Sequence, residues 1–313
     1  TITTNSLYQA GSITKLYLSV LLLKLQQQGL ISINQTIGET INKYGYWAPK
    51  NMLDKWKNIT LKQLLNMTSG IYSYTDSEKL MDEVYKNPKK DWNDIELLSI
   101  ASNNEAYFEA GTDWHYSNTN YILLGMLISK IENKPLEEIF NDQMFSQQKL
   151  NLLNTFYPGN KLNSVVKNRL VPGYDIKGND MKDVNLTVAG ASGAIISNAQ
   201  DLVKFVRVVF NSNYLGKAQL NLLESVVDTD SGKPVATPKD RSGLYGLGVF
   251  RSFSKEAGPY WIYEGKTFGY EAEVVWAPCS NIVFAITINK AYGHKHDPLD
   301  QITENVFSIL MKD

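Results

Sequence analysis

Gly11-Ser12-Ile13-Thr14-Lys15-Leu16-Tyr17-Leu18-Ser19-Val20-Leu21-Leu22-Leu23 sets a serine three residues ahead of a lysine, at the mouth of a long apolar run. On a helix, positions i and i+3 share a face, so the Lys15 amine reaches the Ser12 hydroxyl. A helix start adds unpaired backbone N–H groups and partial positive charge beside any oxyanion formed there. Burial lowers a lysine pKa and leaves part of the amine as free base near neutrality. The pair therefore makes a hydroxyl nucleophilic without a histidine. Leu16, Leu18, Val20, Leu21, Leu22, Leu23 and Leu25 are apolar nearly all round the helix, the pattern of an element buried in a core.

Ser-x-x-Lys occurs four times, at Ser12–Lys15, Ser146–Lys149, Ser164–Lys167 and Ser252–Lys255, so context must choose. Ser146 lies in a polar stretch, Ser164 in a loop-like one, and Ser252 at the end of a strand-like run before Glu256-Ala257-Gly258-Pro259. Only Ser12 opens a buried helix. The plain alternative is a serine capping an ordinary core helix.

A second motif selects the catalytic reading. Trp114-His115-Tyr116-Ser117-Asn118 supplies Tyr-x-Asn after the turn at Gly111-Thr112. A tyrosine beside an ammonium group shares a proton network with a Ser/Lys pair. The asparagine offers a donor and an acceptor to a substrate amide. Tyr85-Lys86-Asn87 has the same form but falls in the charged stretch Met81–Lys86, which reads as a solvated helix face.

Together these residues resemble the penicillin-recognising serine hydrolases, in the branch of class C β-lactamases, serine D,D-carboxypeptidases, D-aminopeptidases and D-alanyl esterases. Leu64-Leu65-Asn66-Met67-Thr68-Ser69-Gly70-Ile71 is similar to the family's LLxHTSG segment. Ala189-Gly190-Ala191-Ser192-Gly193-Ala194-Ile195-Ile196-Ser197-Asn198-Ala199-Gln200-Asp201-Leu202 is similar to its AAGGLxSTAxDL junction, and Val171-Pro172-Gly173-Tyr174-Asp175 to the approach to it. The resemblance runs from about residue 7 to the last helix.

The third family motif departs. Lys-Thr-Gly or His-x-Gly is expected on the strand lining the active site, three residues ahead of a Gly-aromatic pair. Counting back from Gly269-Tyr270 gives Tyr263-Glu264-Gly265. The resemblance then implies an oxyanion hole made by the backbone N–H groups of Ser12 and Lys266, and substrate contacts from Asn118, Tyr263, Glu264 and Gly265. Tyrosine stands where relatives place a cation, and Glu264 where they place a threonine. If Glu264 points at the cleft it repels a substrate carboxylate; alternation forces Tyr263 and Glu264 to opposite faces, so only one can do so. Weak recognition of a free carboxylate, and weak β-lactamase activity, are the expectation.

The implied function is hydrolysis through an acyl-enzyme, with Ser12 as nucleophile, Lys15 and Tyr116 sharing its proton, and Asn118 orienting the acyl amide. The expected substrate is a D-alanyl ester or amide of the bacterial cell envelope, foremost a D-alanylated teichoic acid. The alternatives are a D,D-carboxypeptidase or weak class C-like β-lactamase and, from another class, a non-catalytic binding homologue. Lys62, Lys79, Lys86, Lys89 and Lys90 could serve a polyanionic polymer, though ordinary solvated helix residues are the better reading.

Composition fits and excludes. The 313 residues, 43% hydrophobic with a formal net charge of -1, suffice for a large core and two subdomains. No basic patch with interleaved aromatics points to nucleic acid. The one cysteine, Cys279, sits in the turn-like Ala277-Pro278-Cys279-Ser280-Asn281 and cannot form an intrachain disulfide. No Cys/His cluster has metal-ligand spacing, so no cofactor is expected. His294 and His296 read as a surface loop, and His115 as packing or cleft lining. No segment is long and apolar enough to span a membrane, and no signal peptide is visible. Relatives carry more residues ahead of the nucleophile, forming the first strands of the sheet. Export to the periplasm, cell surface or medium follows from the resemblance alone, with any membrane association through a missing N-terminal anchor.

The fold expected is α/β (α+β), β-lactamase/transpeptidase-like. It comprises a sheet domain over residues 1–32 and 191–313 and a helical inserted domain over 33–190, with the site where they meet. Helices are expected at Ser12–Gly29, Leu61–Asn66, Asp94–Ser102, Asn118–Ile131, Pro135–Phe145, Asp201–Phe210 and Asp297–Met311. Strands are expected at Leu244–Arg251, Tyr260–Tyr263, Glu271–Trp276 and Ile282–Asn289.

Overall fold

A two-residue strand β1 (Tyr8–Gln9) leads through a 3₁₀ turn at Gly11–Ile13 into helix α1 (Thr14–Gln27), whose apolar residues are buried on every side. Tyr17 stacks on Phe205 at 3.5 Å between ring centroids, pinning α1 to a later helix. The computed structural model describes residues 2–159, 162–211, 214–236, 240–292 and 298–311. His294, His296 and Asp297 lie outside them.

Helices α2 (Ile37–Tyr44), α3 (Lys50–Trp56), α4 (Leu61–Leu65), α5 (Glu78–Lys86), α6 (Asp94–Ser102), α7 (Asn118–Glu132), α8 (Leu136–Phe140), α9 (Ser164–Arg169) and α10 (Gly190–Gly193) follow. Three of them start at capping boxes, Thr36 with Glu39, Thr60 with Gln63 and Asn93 with Glu96, in which side chain and backbone satisfy each other's free groups. The expected helix over Pro135–Phe145 is α8 continued by a π turn at Asn141–Phe145. Ser164 begins a short helix rather than lying in a loop, because Asn163 accepts the Val165 N–H and caps it.

Strand β2 (Ile196–Ser197) pairs antiparallel with β1, and α11 (Ala199–Asn211) and α12 (Lys217–Leu223) come next. Among the described residues the main sheet is an antiparallel meander of six strands neighbouring in chain order: β3 (Val227–Asp228), β4 (Leu244–Tyr245), β5 (Phe250–Ser254), β6 (Gly258–Lys266), β7 (Glu271–Ala277) and β8 (Ile282–Ile288). The strand expected over Leu244–Arg251 is two strands, because Gly246 and Gly248 (φ +86°) turn the chain and the Gly246 N–H bonds the Val249 carbonyl. Helix α13 (Pro298–Leu310) closes the chain.

The two faces of the sheet are unlike. Trp261, Tyr263, Ala272, Val274 and Trp276 point into the large core that also holds α1, α7 and α11. Tyr260, Val275 and Ala277 alternate to the other face, where Phe307 of α13 packs on them. One continuous core thus joins the sheet to the helices of residues 37–193, and the end of β6 abuts the 3₁₀ turn at the nucleophile.

Candidate active site

Ser12 sits in the 3₁₀ turn rather than inside the expected continuous helix, because the turn must press against β6. Gly11 has φ +53°, and a Cβ there would lie 2.7 Å from the Lys266 nitrogen. A Cβ on Gly265 would lie 1.9 Å from the Ala10 carbonyl oxygen and 2.9 Å from the Ser12 nitrogen. Only glycines permit this approach, and it brings the Ser12 and Lys266 backbone nitrogens to one end of the cleft. Thr14 knits the turn to the opposite segment: its hydroxyl donates to the Gly11 carbonyl at 2.7 Å and accepts from the Ile195 N–H at 3.0 Å.

Lys15 is fully buried, and its Nζ has three partners: Asn118 Oδ1 at 2.7 Å, the Ser192 carbonyl at 2.7 Å and Ser12 Oγ at 3.0 Å. Two of the three can only accept. Burial holds the amine well below the usual lysine range, so the neutral form is favoured. A neutral amine keeps two N–H bonds and one lone pair. The amide oxygen and the carbonyl take the two N–H groups; the lone pair falls to the one partner with a proton to give, the Ser12 hydroxyl. The three contacts hold the Lys15 amine within hydrogen-bond reach of the Ser12 hydroxyl.

Tyr116 is the second expected proton carrier. The Lys15 Nζ lies 4.8 Å from its ring centroid. Burial, opposed by an interaction with the Ser12 side chain, drives its pKa well above the ordinary phenol value, and Glu264 adds in the same direction. Tyr116 is thus held as a neutral phenol beside the Ser12–Lys15 pair.

Asn118 opens α7 and is held from both ends. Its N–H donates to Ser73 Oγ at 3.1 Å and its Nδ2 to Thr75 Oγ1 at 2.9 Å, while Oδ1 faces Lys15. One Nδ2 hydrogen remains for a substrate. Tyr74, between those two hydroxyls, donates to the Val188 carbonyl at 2.8 Å and lies 3.1 Å from Ser192 Oγ, fixing the turn whose carbonyl holds Lys15. Ser73, Tyr74, Thr75 and Ser192 were missed as site residues. Their one sequence signal is position, since they follow or lie within the two family-like segments at Leu64–Ile71 and Ala189–Leu202.

The third motif corrects one expectation. Glu264 pairs in register with Glu273, whose carboxylate takes a hydrogen bond from Thr303 of α13. Glu264 is therefore on the face turned from α1, with its Oε2 4.0 Å from Lys266 Nζ, and is not placed to meet a substrate carboxylate. Alternation forces this once Gly265 packs on Ser12. Tyr263 takes the inner face but is 2% exposed, its hydroxyl 3.5 Å from that of Tyr245, so it lies beneath the site rather than in the open cleft. Burial drives its pKa well up, and it is a neutral group where relatives are expected to carry a cation. His115 stacks on Tyr107 at 3.7 Å with its Nδ1 3.0 Å from the Tyr116 carbonyl oxygen, in packing rather than in the cleft.

The cleft over Ser12 has a volume of about 520 Å³. Asn118, Ser192 and Lys266 line it near the nucleophile, and Met81, Ile176 and Phe268 make its apolar wall. Tyr85, expected on a solvated face, is at the rim, edge-on to Phe268 with centroids 5.8 Å apart. Among the described residues no group of three or more His, Cys, Asp or Glu side chains is placed to hold a metal.

Comparison with known proteins agrees with this architecture. Penicillin-binding protein 4* of Bacillus subtilis is 21% identical over 87% of this chain and 58% of its own length. Protein flp of Staphylococcus aureus is 25% identical over 79% of this chain and 49% of its own. The chain spans about half the length of the curated relatives it matches. Among solved structures, a D-stereospecific amidohydrolase from Streptomyces sp. superposes with TM-score 0.78 at 26% identity, covering 91% of this chain and 82% of that one. The D-amino acid amidase of Ochrobactrum anthropi SV3 gives 0.79 at 20%, covering 99% and 84%. The family profile described as beta-lactamase matches residues 1–305, and the chain belongs to that family.

Proposed function

We propose that this protein is a serine hydrolase acting through an acyl-enzyme on D-alanyl esters or amides of the bacterial cell envelope, foremost as a D-alanyl esterase on teichoic acid. The observation that carries the chemistry is the buried Lys15 amine, bonded to two pure acceptors and to Ser12. Ser12 Oγ attacks the acyl carbon as its proton passes to Lys15. The Ser12 and Lys266 N–H groups stabilise the oxyanion, where fixed donors act most strongly. The proton then goes through Tyr116 to the departing alcohol oxygen as the C–O bond breaks. Water, deprotonated by the same amine, attacks the acyl carbon; the C–Oγ bond to Ser12 breaks, the proton passes from Lys15 back to Ser12 Oγ, and the acid leaves. An intact Ser12–Lys15 bond disfavours a purely binding role.

The substrate class rests on the third motif. With Tyr263 neutral and buried where a cation is expected, the cleft is poorly suited to a leaving group with a free carboxylate, and an alcohol leaving group fits better. The solved neighbours described as D-stereospecific and D-amino acid enzymes support a D-configured acyl group. The second reading, a D,D-carboxypeptidase or weak class C-like β-lactamase, draws on the match of residues 1–305 to the family described as beta-lactamase. Such substrates lie outside the cytoplasm, where the protein is placed by this reading.

The test is release of free D-alanine from a D-alanylated teichoic acid and from a muropeptide ending in D-Ala-D-Ala, with Ser12→Ala as the control. Release from the teichoic acid alone supports the esterase. Release from the muropeptide alone transfers the assignment to the carboxypeptidase. Release that survives Ser12→Ala rejects the mechanism.

A further inference from the structure

A second cavity, of about 410 Å³, lies behind the cleft, and Leu186 is a wall common to both. Its described charged lining is Lys89, Lys167, Lys182 and Asp183, three cations to one anion in a chain whose net charge is only -1. The three lysines come from distant stretches: one follows α5, one belongs to α9, and one precedes the Leu186 turn. Lys167 Nζ is 2.7 Å and Lys89 Nζ 3.9 Å from the Asp183 carboxylate. Lys167 foremost, with Lys89 and Lys182, holds that carboxyl below its usual range. One carboxylate leaves two positive charges uncompensated among these groups. Gln9, which also lines the cavity, is 1% exposed, and its Nε2 has no partner among the described residues. A buried N–H₂ without an acceptor is uncommon and suits a site that receives an anion. Position ties this cavity to the cleft. Tyr85 borders the cleft, Lys89 four residues on borders the lysines, and the Asn185 N–H donates to the Pro88 carbonyl at 2.7 Å between them.

We propose that the Lys89–Lys167–Lys182 cavity is a second binding site, taking the phosphate of a polyol-phosphate polymer while an acyl ester of the same chain lies over Ser12. The polymer's identity rests on the esterase reading, but its binding can be measured apart from turnover. The probe is unacylated poly(glycerol phosphate), titrated calorimetrically at low and at raised salt. Lys89→Gln with Lys182→Gln leaves the Lys167–Asp183 pair in place and should weaken binding about tenfold, the order expected when two exposed charges are removed together. Asp183→Asn removes the competing carboxylate and should tighten it severalfold. Raised salt should abolish most of the difference between wild type and the lysine variant. Opposite shifts from two surface substitutions are not the signature of a misfolded protein, and thermal melting of each variant checks this. Equal affinity in the lysine variant, or no tightening by Asp183→Asn, overturns the site, as does equal competition by an uncharged polyol. Polymer binding that follows these shifts, without D-alanine release from the acylated polymer, keeps the site and rejects the esterase. Release whose KM is unmoved by the lysine substitutions keeps the esterase and rejects the site.

Discussion

Asn118→Asp is the substitution that tests most directly how Lys15 works. The amide oxygen of Asn118 accepts from Lys15 Nζ at 2.7 Å, so a carboxylate in its place puts a full negative charge there with almost no change of shape. At an effective dielectric of about 20, unit charges at that separation attract by about 6 kcal/mol. Each pKa unit corresponds to about 1.4 kcal/mol, so the Lys15 ammonium would be stabilised by at most about 4 units. The new carboxylate's own desolvation removes part of that, leaving a rise of about 2–3 units. In the native protein burial holds Lys15 low, so kcat/KM should climb with pH through an acid limb well below 10.5 and level off once the amine is neutral. In Asn118→Asp the limb moves up by those 2–3 units, and the rate below the limb falls about 100- to 1,000-fold. Asn118→Ala, which removes an acceptor that favours the ammonium, should shift the limb slightly the other way. The assay is hydrolysis of a chromogenic D-alanyl ester from pH 5 to 10. An acid limb at the same pH in Asn118→Asp as in the native enzyme would refute Lys15 as the base.

Further outcomes follow from the same geometry. Ser12→Ala should abolish turnover while leaving the melting temperature within a few degrees, and mass spectrometry should find no covalent acyl adduct. Gly265→Ala drives a methyl into the Ala10 carbonyl, and by opening the oxyanion hole should lower kcat about 100- to 1,000-fold. Glu264→Thr should bring no gain in reaction with β-lactams, because that side chain faces α13; a clear gain would return it to the cleft. Asp94, half-buried at the start of α6, has its carboxyl pushed up by desolvation to about 6 from 3.8. Between those values the folded chain holds more protons than the unfolded one, so this group makes stability fall as pH rises, by up to about 3 kcal/mol. Asp94→Asn should therefore stabilise the protein in denaturant melts above pH 6 and have little effect below pH 4.

What the sequence displayed and what it concealed divide along physical lines. The Ser12–Lys15 pair was visible because its members are local, three residues apart, and the helix that follows because an all-round apolar run has one interpretation. Asp94–Ser102 was legible as a helical stretch, and Glu271–Trp276 and Ile282–Asn289 as strand-like runs, close to the helix and strands that form at Asp94–Ser102, Glu271–Ala277 and Ile282–Ile288. Tyr74 and Ser192 were not visible. Their contribution is a hydroxyl and a backbone carbonyl acting across 118 and 177 positions of chain, and any residue type has a carbonyl. Lys89 read as an ordinary solvated lysine; only the fold sets it with Lys167 and Lys182 round one cavity. Glu264 was half legible: alternation separated it from Tyr263, but only the packing of Gly265 on Ser12 decided which of them faced inward.

The tyrosine at 263 has a consequence for the base itself. A cation near Lys15 would lower its pKa by repulsion, and a carboxylate would raise it. Here the depression comes from burial. The shell responsible is phenolic: Tyr74, Tyr116, Tyr121, Tyr245 and Tyr263 are all kept protonated by burial, and they exclude water without bringing charge. Tyr263→Lys should then do two things that a mere cavity change would not. It adds a positive charge on the Tyr116 side of the site, lowering the acid limb of kcat/KM further. It also supplies the cation that a carboxylate-bearing leaving group requires, so acylation by β-lactams should rise even where ester turnover drops through disturbed packing. Tyr263→Phe separates the two, since it keeps the shape and the neutrality. If the lysine and phenylalanine variants show the same limb and the same β-lactam reactivity, position 263 acts only through packing and the specificity of this cleft lies elsewhere.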